Sequence, residues 1–70
     1  MIDVRVQVYI DLCVSNDYEK LKQEPYEVFK IEIIQIVHSA IEKYNLRGYT
    51  DTLNELELHA IKQFIKLLKS

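Results

Sequence analysis

Residues 2–14 read Ile2-Asp3-Val4-Arg5-Val6-Gln7-Val8-Tyr9-Ile10-Asp11-Leu12-Cys13-Val14. Ile2, Val4, Val6, Val8, Ile10, Leu12 and Val14 occupy the even positions, while Asp3, Arg5, Gln7, Tyr9, Asp11 and Cys13 occupy the odd ones. Side chains of a strand switch faces at every residue. The alternation therefore predicts a long, half-buried β-strand over about 2–14. The apolar face is mostly β-branched, which suits a pleated surface.

Downstream of this stretch the pattern changes. Ser15-Asn16-Asp17 carries turn-forming side chains and is expected to end the strand. Residues 18–24 are polar and lysine-rich, and fit a loop or a single helical turn. Pro25 suits the first position of a helix, and Glu27 complements the dipole of its opening turn. Phe29, Ile33, Val37, Ala40 and Tyr44 recur at helical spacing, predicting a helix over about 25–46. Gly48, the only glycine in the chain, is placed to terminate it. Thr52 and Glu55 have the spacing of a capping box, and Leu53, Leu56, Ala60, Phe64 and Leu67 extend a second helix over about 53–69. The expected fold is thus α+β, one long N-terminal strand followed by two antiparallel helices, in a single domain spanning 1–70.

Composition narrows the class. Seventy residues with a lone cysteine, Cys13, exclude an intrachain disulfide framework and point to a reducing, cytoplasmic setting. Residues 1–5 lack the apolar run of a signal peptide, and no stretch approaches the ~20 apolar residues of a membrane span. A net charge of −2 gives the chain as a whole no attraction to nucleic acid or anionic membranes. Apolar residues make up 49% of the chain, typical of a folded domain.

A chain this short buries roughly 60% of its unfolded surface, and domains of this size commonly draw on a partner subunit. Val28 and Ile31 fall opposite the main stripe of the first predicted helix. Leu58, Ile61 and Ile65 form a second apolar surface on the other. A lone strand would also leave both edges unpaired. The economical expectation is a homodimer closed by an antiparallel ribbon, with Val4, Val6, Val8, Ile10 and Leu12 on the ribbon's apolar face. Centring the two-fold on Val8 sets Arg5 against Asp11 twice, each pair contributing roughly 0.2–1 kcal/mol.

Candidate chemistry is sparse. His38 with Glu42, and Glu55 with His59, are spaced by four and can share a helix face, as a metal pair would. Ordinary surface pairing accounts for the same spacing, so no metal or cofactor is expected. Cys13 lacks the accompanying groups of an activated nucleophile. Asp3 and Asp11 would lie roughly 26 Å apart on a strand, too far for paired carboxylate catalysis. The lysine-edged C-terminal segment 61–69 has the pattern of a membrane-surface helix, but core packing with a solvated lysine edge is the expected reading, since globular helices share this pattern.

These readings favour a non-enzymatic protein-interaction or regulatory module, of adaptor or inhibitor type, on the scale of phage- and plasmid-borne regulators. Arg5, Gln7, Tyr9 and Asp11 on the ribbon, with Tyr18 and Tyr49 in loops, are the expected contact residues, since Tyr and Arg dominate interface hot spots. The alternative is a DNA-binding transcriptional regulator reading the major groove with Arg5, Gln7 and Tyr9 of the paired strand. Its element order is similar to that of ribbon–helix–helix repressors, a likeness of architecture alone. A third expectation is a subunit of a larger hetero-complex.

Overall fold

The computed structural model describes residues 3–46 and 50–70, the side chains of 50–52 excepted. It corrects the α+β expectation. The described residues form three helices, α1 (Val4–Leu21), α2 (Tyr26–Lys43) and α3 (Thr50–Lys69), and no strand. Each helix packs on the other two.

The segment expected as a strand is the first eighteen-residue helix. Asp3 caps it, its Oδ1 accepting the Arg5 backbone N–H at 2.8 Å and so satisfying one of the free donors of the first turn. The helix runs through Ser15-Asn16-Asp17 without a break and ends beyond Leu21. Val6, Ile10, Val14 and Leu21 are buried, with Tyr9, Cys13 and Tyr18 packed beside them. Val4, Val8 and Leu12 remain exposed. A helix hydrogen-bonds its own backbone, which removes the unpaired edges that a ribbon would have had to cover.

The other two helices follow the spacing of their apolar residues. Ile33, Val37 and Ala40 of α2 are buried, and so is Ile36 beside them; Phe29 and Tyr44 pack against the same core. Pro25 sits at the N-cap, one residue ahead of the helix. Termination falls on Asn45 rather than Gly48. Asn45 has φ of 52°, and the Leu46 N–H donates to the Ile41 carbonyl at 3.0 Å while the Asn45 N–H donates to that of Glu42 at 3.3 Å. This is a Schellman ending with asparagine in the left-handed position, and Ile41 and Leu46 both pack on the core. Gly48 lies outside the described residues.

In α3, Leu56, Ala60 and Phe64 are buried, with Leu53 and Leu67 partly so. The helix begins at Thr50, earlier than the capping box suggests, and that box rests on Thr52, whose side chain is outside the described set. Lys66 and Lys69 occupy its last turn, where cations favour the carbonyl end. Phe29, Phe64 and Tyr18 join the three helices at one end, with ring centroids 4.7 Å apart for Phe29–Phe64 and 5.6 Å for Tyr18–Phe64. The result is one core shared by all three helices.

Candidate interaction surface on the first helix

Coiling residues 4–21 redistributes every residue expected on the ribbon. Of the five ribbon positions, Val6 and Ile10 are in the core, at 1% and 0% exposed, and are closed to any second copy. Val4, Val8 and Leu12 are exposed at 70%, 50% and 59%. They stand one turn apart on the outward side of α1, so they form a row rather than the alternating face of a strand.

The four polar positions also separate. Tyr9 turns toward α2, where its ring meets Tyr44 edge-on at 5.8 Å. Burial raises the Tyr9 phenol pKa, and the neighbouring Cys13 thiol pushes the same way. Gln7 and Asp11 turn toward α3. Gln7 is half-buried and lines a shallow pocket with Glu55, Leu58, His59 and Lys62. His59 Nε2 lies 2.8 Å from Asp11 Oδ1; an ionised carboxylate only accepts, so the ring nitrogen donates. Arg5 is exposed, and its Nη2 donates to Asp3 Oδ2 at 3.1 Å. A set of residues expected side by side on one face is spread around three sides of a helix.

Tyr18 is half-buried rather than a loop residue. Its hydroxyl donates to the Leu67 carbonyl at 3.5 Å, and the Lys22 ammonium lies 5.0 Å from its ring centroid. Tyr49 lies outside the described residues. Asp3 and Asp11 come closer on a helix than on a strand, about 12 Å along the axis. They remain unpaired with each other, since Arg5 and His59 are their respective partners.

Among the metal candidates, His38 and Glu42 are exposed, and His59 points to Asp11 instead of Glu55. No group of three or more metal-ligating side chains forms among the described residues. Cys13 is half-buried and lines a cleft of about 280 Å³ with Asn16, Asp17, Glu32 and Ser39. Among the described residues, no helix is long and apolar enough to cross a membrane.

A larger concavity runs along α1 on its α2 side. This groove of about 440 Å³ is lined by Val4, Arg5, Val8, Tyr9 and Leu12 of α1 and by Lys43 and Tyr44 at the end of α2. The Lys43 ammonium lies 5.4 Å from the Tyr9 centroid and 5.9 Å from that of Tyr44, and the Arg5 guanidinium 6.0 Å from Tyr44. Both cations are thus held against ring faces, an attractive arrangement. Sequence reading selected Arg5 and Tyr9 but missed Lys43 and Tyr44, because the strand assignment hid that α1 and the end of α2 lie side by side.

No protein-family model, no curated protein and no solved structure matches this chain.

Proposed function

We propose that this chain is a small non-enzymatic protein-interaction module of adaptor or inhibitor type, acting as a homodimer. One observation carries the reading. The core is closed by residues of all three helices, yet apolar rows at helical spacing remain on the solvent sides of α1 and α3. Contiguous exposed apolar surface on a folded domain marks a binding site more often than chance exposure does.

The two rows suit different roles. On α3, Leu58, Ile61, Ile65 and Leu68 have the 3–4–3 spacing of a helix-pairing seam. Leu58, Ile65 and Leu68 are exposed, and Ile61 is partly buried. With two copies parallel along this seam, Glu57 of one protomer faces Lys62 of the other, the flanking charge pair that such seams use. This helical self-association replaces the ribbon, for which no strand exists among the described residues. The strand-based reading of DNA falls with the strand. On α1, the row of Val4, Val8 and Leu12 with its tyrosine-lined groove is the surface offered to a different protein.

Sedimentation equilibrium of the full chain tests the self-association. The expected result is a dimer at micromolar concentration that becomes a monomer in the Leu58→Glu/Ile65→Glu variant. A native chain that stays monomeric throughout that range removes the homodimer. For the α1 face, the Val8→Glu variant is expected to keep its helicity and lose the binding partner that the native chain retains in affinity purification. Undiminished retention would remove that face from the proposal.

A further inference from the structure

We infer that the α1 groove takes an amphipathic, acidic α-helix of a partner protein, with the partner's apolar row on Val4, Val8 and Leu12 and its carboxylates toward Lys43 and Arg5. The inference rests on the reading of α1's outer face as a binding surface, and adds the chemistry of what binds there.

Shape supports a helix as occupant. The three apolar side chains are spaced by four residues and span about 12 Å along α1, the length over which a partner helix presents residues i, i+4 and i+7. The groove beside them is also lined by Tyr9 and Tyr44, whose rings supply contact area with few rotatable bonds to freeze.

Charge supports an acidic one. The charged side chains that line the groove are Arg5 and Lys43, and among the described residues no carboxylate lines it. Asp3 already engages Arg5, which leaves Lys43 as the principal anchor. The chain's net charge is −2, so this positive edge stands against an acidic whole and gives direction to the encounter. A second copy fits less well: its α1 row is bordered by Arg5 and would bring base against base, and its α3 row is the one engaged in the helix-pairing seam.

The test uses the purified full chain and two labelled synthetic peptides of about 18 residues, long enough for a helix to persist. Both carry leucine at helical spacing. One has glutamate along one flank, and its twin has lysine at the same places. Fluorescence anisotropy at low salt is expected to show the acidic peptide binding about tenfold more tightly than the basic one. Lys43→Glu should cancel that preference, and Val8→Glu should abolish binding of both with helicity unchanged by circular dichroism. Equal affinity for the two peptides, lost in Val8→Glu, overturns the acidic partner and leaves the α1 face as a binding surface. Failure of both peptides to bind, or binding that Val8→Glu does not weaken, overturns the α1 reading as well. Binding to vesicles containing phosphatidylglycerol, lost in Val8→Glu and without any peptide preference, overturns the inference in favour of a lipid surface.

Discussion

His59 of α3 and Asp11 of α1 meet through a 2.8 Å hydrogen bond across 48 residues of sequence. The two side chains are 26% and 37% exposed, so water screens the contact only in part. It fixes the register of α1 against α3 on the side away from the tyrosine pair. A double-mutant cycle with Asp11→Ala and His59→Ala is expected to yield a coupling of about 0.5–1 kcal/mol at neutral pH. Strictly additive single-mutant effects would show that the pair contributes orientation without stability.

Ile10 and Leu12 distinguish helix from strand by mutation alone. On a strand the two side chains share one face and would respond alike. On α1, Ile10 is at the centre of the core and Leu12 is 59% exposed. Ile10→Ala is expected to lower unfolding free energy by about 2–4 kcal/mol, whereas Leu12→Ala should stay within about 0.5 kcal/mol. Equal losses in chemical denaturation would contradict the helical assignment.

The same pair shows why this helix was hidden in the sequence. A spacing of four residues is two strand repeats and also close to one helical turn, so Val6, Ile10 and Val14 satisfy both periods. What separates the periods is the odd positions. Tyr9 and Cys13 pack beside the core and supply the i+3 contacts that a strand would not use. Tyr9 reads as polar on its face of the strand, and Cys13 as a filler, so that signal was lost. The unpaired edges of a lone strand were the second clue, answered there by a partner copy and in the fold by coiling. The later helices were legible because Ile33, Val37 and Ala40, and Leu56, Ala60 and Phe64, recur at a helical period with no competing alternation. The groove was half legible: Arg5 and Tyr9 come from the stretch that was read, while Lys43 and Tyr44 join them only through tertiary packing.

Asn45 ends α2 in the left-handed region, at φ of 52°. Asparagine tolerates this conformation and glycine adopts it freely, whereas a Cβ without a local hydrogen-bonding group makes it unfavourable by roughly 1–2 kcal/mol. Asn45→Ala is therefore expected to destabilise by about 1 kcal/mol, and Asn45→Gly to leave stability unchanged or slightly raised. Thermal melts of the two variants that coincide would argue against the Schellman ending.

Asp3 ties the start of α1 to acid pH. The Arg5 guanidinium, and then the Arg5 backbone N–H, hold its carboxyl below the ordinary value of 3.8. A carboxyl whose folded value is depressed stabilises the fold above its unfolded value, and that contribution disappears as the pH falls through the folded value. The window therefore lies below 3.8. Carbon NMR of the Asp3 carboxyl is expected to give a midpoint under that value, with fraying of the first turn of α1 on the same titration. Arg5→Gln should move the midpoint upward. A native midpoint at or above the ordinary value would contradict the cap geometry.

Glu24 occupies the turn between α1 and α2, with both carboxylate oxygens enclosed and, among the described residues, no hydrogen-bond donor reaching them. Lys20 is 4.0 Å away, but its ammonium sits closer to Glu32, at 3.1 Å. A cation shared in this way compensates an enclosed carboxylate poorly, and the lost hydration is not recovered. The concavity that Glu24 lines is otherwise mostly apolar, with Leu21, Tyr26, Phe29, Phe64 and Leu68, and its one cation among the described residues, Lys22, pairs with Glu19 at 3.0 Å. Replacing a poorly compensated enclosed charge by an apolar residue of similar volume is commonly neutral or stabilising, so Glu24→Leu is expected to gain about 1 kcal/mol. Glu24→Gln removes the charge but keeps polar atoms without partners, and should gain less. If denaturant unfolding shows Glu24→Leu to be destabilised by as much as a core deletion, the carboxylate has a partner in solution and the Lys20–Glu32 pair is not its competitor.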